Sequence, residues 1–187
     1  FLEQPRTVPF NWVLRHKTEE RKDQLITRAT SDGQPMPVSA GEEGKAVPTG
    51  TLSPYGNAMV MFSKLKRERV AARSGPLKAG KGIYAIATKD QSGAAIMLWN
   101  YQHTGTQAHR VTIDLGRMPA NLRKKALRQQ VYRIDDRTSN FWADPKSANL
   151  QLVSETPAAP ARNHRLTLEL TPNALQLVVL EPAAKTN

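Results

Sequence analysis

The sequence has no cysteine, so disulfides, thiolate metal sites and cysteine nucleophiles are excluded. No apolar run reaches the roughly 20 residues that a membrane-spanning helix needs, and no basic-then-apolar signal segment opens the chain. We therefore expect no membrane span. The first residue is Phe1 rather than methionine, which predicts a processed product, a fragment or a start missing from the sequence.

Motifs that carry well-known chemistry are also missing. The sequence has no phosphate-cradling glycine loop, no His-x-x-x-His pair and no Gly-x-Ser-x-Gly elbow. The four histidines, His16, His103, His109 and His164, are scattered, so we expect neither a metal nor a cofactor. Two adjacent carboxylates occur at Asp135 and Asp136, but neighbours on a strand point to opposite faces, so we interpret them as turn-forming residues.

Positive charge is in excess, with a formal net charge of +11. Residues 1–73 contain 12 basic and 8 acidic side chains, so the excess is spread over the chain. One cluster stands out, made by Arg123, Lys124, Lys125 and Arg128. A solvated surface and a polyanion site both fit the charge, but no aromatic residues interleave with a dense basic patch. We therefore expect no nucleic-acid partner.

The N-terminal third predicts one strand, one loop and one helix. Residues 7–14 are β-branched and aromatic and predict a short buried strand. Residues 27–53 are rich in glycine and proline and predict a long loop. Ser53 is a capping residue and Pro54 suits the first helical position, so a helix is predicted from here to about Glu68. Its apolar stripe comprises Tyr55, Ala58, Met59, Phe62 and Leu65.

After residue 76 the apolar period changes from helical to two. Seven short strands are predicted over residues 82–88, 94–101, 109–115, 130–135, 150–154, 165–170 and 175–180. The first two are apolar on both faces, which is typical of central strands, and 90–93 predicts a hairpin turn between them. This pattern predicts a mostly β fold with a C-terminal antiparallel β-sandwich.

Aromatic side chains on a sandwich can bind sugars by stacking. The candidates are Trp99, Tyr101, Phe141 and Trp142. Core packing is the preferred interpretation of Trp99, whereas Phe141 and Trp142 follow a turn, where they could pack inside or contact a ligand or a neighbouring domain.

Six segments, in this order, resemble the C-terminal portion of family 39 glycoside hydrolases. They are 10–12 (FNW), 52–59 (LSPYGNAM), 64–70 (KLKRERV), 111–116 (VTIDLG), 132–140 (YRIDDRTSN) and 168–182 (LELTPNALQLVVLEP). Those enzymes join a catalytic (β/α)8 barrel to a β-sandwich. The resemblance implies that residues 1–73 are the C-terminal end of the barrel, with strand 8, a long loop and helix 8. It assigns residues 74–187 to the sandwich domain.

The resemblance also implies where substrate binds. Active sites of such barrels lie at the C-terminal ends of the strands, which places Asn11, Trp12, Arg15 and His16 at or near the sugar pocket. Family 39 relatives bring an aromatic residue of the eighth strand to the pocket floor, and Trp12 matches it. Packing of Trp12 between the barrel and its helices is the alternative.

The two catalytic glutamates of the family come from the fourth and seventh barrel strands, which precede this chain. Glu3 lies only nine residues before Trp12, too close to leave room for an intervening helix. An eighth strand also needs neighbours for its backbone hydrogen bonds, which predicts an N-terminal catalytic barrel portion, either on a separate chain or in an unrecorded segment.

The function that the resemblance implies is that of a C-terminal subunit or fragment of a retaining glycoside hydrolase. Its substrate would be a polysaccharide or oligosaccharide, and this chain alone would be inactive. A noncatalytic carbohydrate-binding or assembly module is the alternative. A periplasmic or secreted location is favoured, because bacterial polysaccharide enzymes usually work outside the cytoplasm.

Overall fold

The computed structural model describes residues 51–73, 81–102, 107–116 and 118–183. The predicted strand over 7–14, nearly all of the predicted loop over 27–53, and the candidates Asn11, Trp12, Arg15 and His16 lie outside these ranges. The chain divides into two compact units. In the described ranges the first unit contains residues 51–63 and Ile134–Gln151, and the second contains the rest.

Helix α1 spans Pro54–Ser63. The buried Ser53 hydroxyl accepts a hydrogen bond from the Gly56 N–H at 3.0 Å, and its carbonyl accepts one from the Asn57 N–H at 2.8 Å. Proline fits the first helical position because that residue needs no N–H donor. The predicted start of the helix is therefore confirmed.

The predicted end of the helix is wrong. The helix stops at Ser63, and Glu68–Val70 form strand β1 instead. Charged residues that suit a helix C-terminus also suit an exposed edge strand, and pairing with a neighbouring strand decides between them. Of the predicted apolar stripe, Ala58 is buried and Tyr55, Met59 and Phe62 are half-buried. The buried helical residues are Gly56, Asn57, Ala58 and Met61.

Seven further strands follow in the described ranges, at the places where period-two alternation predicts them. They are β2 (Lys81–Lys89), β3 (Ala94–Gln102), β4 (His109–Leu115), β5 (Leu127–Ile134), β6 (Gln151–Ala158), β7 (His164–Leu170) and β8 (Leu175–Pro182). Six strands form a sheet in the order β1-β2-β3-β8-β5-β6, and β4 and β7 form a second sheet. The pairs β1–β2, β2–β3, β3–β8 and β4–β7 are all antiparallel.

The β2–β3 hairpin depends on a glycine. The Asp90 N–H donates to the Gly93 carbonyl at 3.0 Å, which closes the predicted turn. Gly93 lies against β8, and a Cβ atom at this position would clash with the carbonyl oxygen of Leu180. A residue without a side chain is therefore needed for β3 and β8 to approach each other here.

One apolar core joins the two sheets. Its buried members come from both sheets and from the turn after β4, and are Ile83, Ala87, Ala94, Ile96, Leu98, Ile113, Met118, Leu122, Leu127, Val131, Ala158, Leu166, Leu170, Val178 and Leu180. Two sheets that share one core are packed as in a β-sandwich, which agrees with the predicted fold class. Ala95 and Met97 on the opposite face of β3 are buried too, as predicted for a central strand.

Two buried amides connect the sheets at one end of this core. Asn100 on β3 places its Nδ2 within 3.0 Å of the carbonyls of Gln107 and Thr171 and within 3.3 Å of that of Leu170. Gln176 on β8 donates from Nε2 to the Glu169 carbonyl at 2.7 Å. Both residues have no exposed surface, so these hydrogen bonds replace water for the carbonyls at the end of β7.

No helix in the described ranges is long and apolar enough to cross a membrane.

Candidate functional site

The resemblance assigns residues 1–73 to the barrel. In the described part of this segment, the main element is α1. The structure places α1 in one unit with the connection between β5 and β6. We call α1 and residues 135–150 the helix–loop cluster. The four predicted pocket residues, Asn11, Trp12, Arg15 and His16, lie outside the described ranges, so their position in a site stays a prediction.

Asn57 is the polar centre of the helix–loop cluster. It has no exposed surface, and its Nδ2 donates to the Ser139 carbonyl at 2.9 Å and to the Ala148 carbonyl at 2.6 Å. One side chain thus satisfies two loop carbonyls and fixes the loop on the helix. Its Oδ1 is buried without a hydrogen-bond partner, which is a costly arrangement for an amide.

The loop begins with a turn built on Asp135. Its Oδ1 accepts hydrogen bonds from the N–H groups of Arg137 and Thr138 at 2.9 and 2.7 Å, which confirms the predicted turn role of this aspartate. Ser139 follows with a φ of 53°, in the left-handed region. The fully buried Ser139 hydroxyl accepts the Gln151 N–H at 2.8 Å, where β6 begins. These bonds position the Ser139 carbonyl for Asn57.

Phe141 and Trp142 have different environments from those that sugar stacking requires. Phe141 is 1% exposed and packs with the buried Ala148, so it belongs to the interior and the surface alternative is wrong for it. Trp142 is half-buried, and its ring lies 4.7 Å from that of Phe141. Its indole Nε1 is buried without a partner, so this edge of the ring faces the protein rather than solvent.

Three aromatic residues lie on the face of β2 and β3 that is opposite the apolar core. Tyr84 and Trp99 are register partners, and their rings stack at 5.6 Å with an angle of 12°. Both are half-buried, and stacking on the Tyr84 ring covers part of the Trp99 side chain. Tyr101, two positions further along β3, is 53% exposed.

The segment directly after the helix, residues 64–66, contacts three strands. Lys64 Nζ lies 4.7 Å from the ring centre of Tyr132 on β5, and the Lys66 N–H donates to the Thr88 hydroxyl on β2 at 2.8 Å. Lys66 Nζ forms an ion pair with Glu181 on β8 at 2.5 Å, with the lysine side chain only 10% exposed. The residues that follow the helix are therefore anchored to the sandwich by both side-chain and backbone groups.

Among the residues that the structure describes, the other ionisable groups do not gather into a reactive cluster. No group of three or more metal-ligating side chains occurs in the described ranges. His109 and His164 are half-buried at the starts of β4 and β7, and the second pairs with Gln129 at 2.9 Å. The hydrogen bond from the Ser92 hydroxyl lowers the pKa of Asp90, and the hydrogen bond to Asp114 raises the pKa of Arg165. Asp90 lies in the turn between β2 and β3, and Arg165 lies on β7. Their hydrogen bonds stabilise that turn and the pairing of β7 with β4.

Comparison with known proteins places this fold beside glycoside hydrolases. No protein-family model matches the sequence, and no curated protein matches it. Among solved structures, the bacterial orthologue of human α-L-iduronidase superposes with a TM-score of 0.61 and 14% identity, over 87% of this chain and 31% of its own. A GH39 enzyme from Xanthomonas axonopodis pv. citri gives 0.57 and 13%, over 72% and 31% of the respective chains. A monomeric β-xylosidase from Caulobacter crescentus CB15 gives 0.53 and 11%, over 72% and 32%.

The resemblance to the C-terminal portion of family 39 enzymes is thereby confirmed as a likeness of fold. The chain spans only about a third of the length of these solved structures. Activity, substrate and partners do not follow from such a likeness.

One group that sequence reasoning missed is Asn57. The segment around it contributed to the resemblance, but no role was predicted for the side chain. The only signal was a polar residue beside Gly56 and Ala58 at the start of a helix, which by itself fits a solvated position equally well.

Proposed function

We propose that this chain is the C-terminal subunit or fragment of a glycoside hydrolase that acts on a polysaccharide or oligosaccharide. The observation that carries the proposal is the likeness of fold, with TM-scores between 0.53 and 0.61, to three chains of that class, of each of which this chain matches about a third. The role of this chain is to supply the sandwich and the last elements of the barrel. The catalytic glutamates lie outside it.

Contacts made by the helix–loop cluster and by the segment after α1 support this proposed role of the chain. The loop between β5 and β6 leaves the sandwich strands and is fixed to α1 by Asn57, while residues 64–66 anchor the chain after the helix to β2, β5 and β8. In this proposal α1 is the eighth helix of the barrel. In this proposal the domains are residues 1–73, the barrel end, and 74–187, the sandwich.

The substrate pocket in this proposal is walled by Asn11, Trp12, Arg15 and His16. An indole ring packs against the apolar face of a sugar, while amide, guanidinium and imidazole groups bond to hydroxyls. The reaction proceeds with retention by double displacement, using two glutamates of the missing barrel portion. The proposal requires no metal or cofactor and places the enzyme in the periplasm or outside the cell.

The mass of the particle tests whether a barrel portion accompanies this chain. The protein is purified from its natural source and its mass is measured under native and denaturing conditions. The proposal expects a native species well above 20.7 kDa that contains a larger partner or a longer polypeptide. A folded native species of 20.7 kDa that carries no other chain would contradict it.

The pocket assignment is tested in the assembled enzyme by Trp12→Ala, with Tyr101→Ala as the matched aromatic control. The proposal expects lower kcat/KM for Trp12→Ala with an unchanged melting temperature, and unchanged kinetics for the control. Unchanged kinetics for Trp12→Ala would remove this residue from the pocket.

A noncatalytic carbohydrate-binding module is a second candidate, favoured by the 53% exposure of Tyr101 beside Trp99. It predicts that the isolated chain binds a polysaccharide and that Tyr101→Ala weakens the binding. Retention on insoluble polysaccharides is measured for the isolated chain and for its Tyr101→Ala variant. Binding by the chain that Tyr101→Ala weakens would favour this function over the first.

A further inference from the structure

The connection between β4 and β5 carries a dense positive charge. Residues 119–128, which we call the basic connection, contain four basic side chains and no acidic one. The basic residues are Arg123, Lys124, Lys125 and Arg128, and all four are exposed. A short piece of the second unit thus presents four cations to solvent.

Hydrogen bonds fix the basic connection to its neighbours. The Asn121 side chain donates from Nδ2 to the Gln91 carbonyl, in the turn between β2 and β3, at 2.8 Å. The Ala126 carbonyl accepts a hydrogen bond from the N–H of Ala183, directly after β8, at 2.9 Å. These bonds hold the basic connection at the end of the sandwich where β2 and β8 end.

Two further basic segments reach the same end of the sandwich. The Arg162 carbonyl, between β6 and β7, accepts a hydrogen bond from the Met118 N–H at 3.0 Å. The Arg67 N–H donates to the Asp90 carboxylate, in the turn between β2 and β3, at 3.4 Å. Arg67 belongs to residues 64–69, which contain four basic side chains and one acidic one. Basic side chains from three separate segments therefore share one end of the sandwich.

Acidic side chains neutralise only part of this charge. Glu181 pairs with both Lys66 and Arg128, at 2.5 and 3.6 Å, so one carboxylate serves two cations. Among the residues that the structure describes, no carboxylate forms an ion pair with Lys124 or Lys125. The positive potential of this end is therefore left open to an external anion.

We propose that this basic surface, made by residues 64–69, residues 119–128 and Arg162, binds the polysaccharide substrate, and that the sugars of this substrate carry carboxylate groups. The inference rests on the proposed function and adds the chemical class of the substrate to it. Guanidinium and ammonium groups bind carboxylates through charge-assisted hydrogen bonds. A field of one sign also steers an acidic chain towards the protein and raises its local concentration.

Two other classes of polyanion suit the basic surface less well. Neither residues 64–69 nor residues 119–128 contain an aromatic side chain on which nucleic-acid bases could stack. The exposed large apolar side chains of the described ranges, Tyr101, Leu152 and Val153, are not part of the surface, so none of them could insert between lipid headgroups there. An acidic sugar chain needs only the charge and the hydrogen-bond donors that the surface supplies.

Neutralising two lysines of the basic connection tests the proposal. The double variant Lys124→Gln, Lys125→Gln is compared with Arg137→Gln, Lys146→Gln, which removes two exposed charges from residues 135–150, where acidic side chains outnumber basic ones by 3 to 2. The two double variants have the same net charge. Thermal melts confirm that both are folded. Only a local role of Lys124 and Lys125 makes them differ in binding.

Binding to polygalacturonate is measured for the purified particle that contains each form of this chain. The proposal expects the lysine pair of variants to weaken binding about fivefold or more, and the control pair less than about twofold. Raising the salt concentration from about 50 to about 200 mM should weaken binding of the unmodified particle about tenfold or more. Fully methyl-esterified polygalacturonate, which has the same backbone without its charge, should not bind.

Equal losses for the two double variants, or equal binding of the ester, would overturn the inference and leave the proposed function standing. Tighter binding to double-stranded DNA or to phosphatidylglycerol vesicles than to polygalacturonate would overturn it too. The mass measurement described above tests the proposed function separately, because its result does not depend on Lys124 and Lys125.

Discussion

The side-chain amide of Asn57 donates to the carbonyl of Ser139 across 2.9 Å, although 82 positions separate them in the sequence. A second bond from the same nitrogen reaches Ala148. This contact joins the first turn of α1 to a loop that begins and ends in sandwich strands. The stability of the helix–loop cluster therefore depends on one buried amide.

Asn57→Ala should lower the free energy of unfolding by about 1–3 kcal/mol, because two buried carbonyls lose their donor. The control is Ser63→Ala, which removes an exposed hydroxyl of the same helix and should change stability by less than about 0.5 kcal/mol. Urea denaturation of both variants measures the difference. Equal stability of the two would show that Asn57 does not hold the loop.

Gly93→Ala should destabilise the protein by about 1–3 kcal/mol, because the added methyl group meets the Leu180 carbonyl on the neighbouring strand. Gly116→Ala is the matched control, since nothing lies within 4 Å of a Cβ atom there. Thermal melts of the two variants should separate clearly. A tolerated alanine at position 93 would mean that β3 and β8 can move apart without cost.

Glu181→Gln should cost about 1–3 kcal/mol, because it leaves the nearly buried Lys66 ammonium without its counter-ion. The control is Asp114→Asn, which breaks an ion pair of equal length between side chains that are 59% and 70% exposed. Solvent screens that pair, so its loss should not change the midpoint of denaturation measurably. Matching midpoints for the two variants would contradict the anchoring role of Lys66.

The lowered pKa of Asp90 predicts that the stability of the folded protein depends on pH in the acidic range. The Ser92 hydroxyl, 2.6 Å from Oδ1, holds the pKa of the folded state below 3.8. The ionised carboxylate therefore stabilises the turn above pH 3.8, and this contribution is lost as the pH falls through the folded-state pKa. An NMR titration should find that Ser92→Ala raises the pKa of Asp90, and an unchanged pKa would reject this cause.

Most of the strands could be predicted from the sequence because alternation records which side chains face a core. Val111, Ile113 and Leu115 show it clearly, and β4 forms where they indicate. Alternation does not record partners. The order of strands, in which β8 enters between β3 and β5, depends on contacts between distant segments and could not be predicted.

The end of the helix and the roles of buried amides were beyond sequence reasoning for the same reason. The basic residues after Ser63 fit either a helix end or an edge strand, and pairing of Val70 with Ala87 decides it. Asn57 and Asn100 are buried because of carbonyls far away in the sequence. The resemblance of ordered segments predicted the likeness to family 39 enzymes, whereas the pocket around Trp12 stays a prediction.

Hydrolysis by the reconstituted particle tests the central claim most directly. Chromogenic β-xylosides and α-L-iduronides, chosen from the activities named for the similar structures, are assayed with this chain, with the larger polypeptide and with both together. The account predicts hydrolysis by the complex and none by this chain alone. Full hydrolysis by this chain alone, or by the larger polypeptide with no gain when this chain is added, would contradict it.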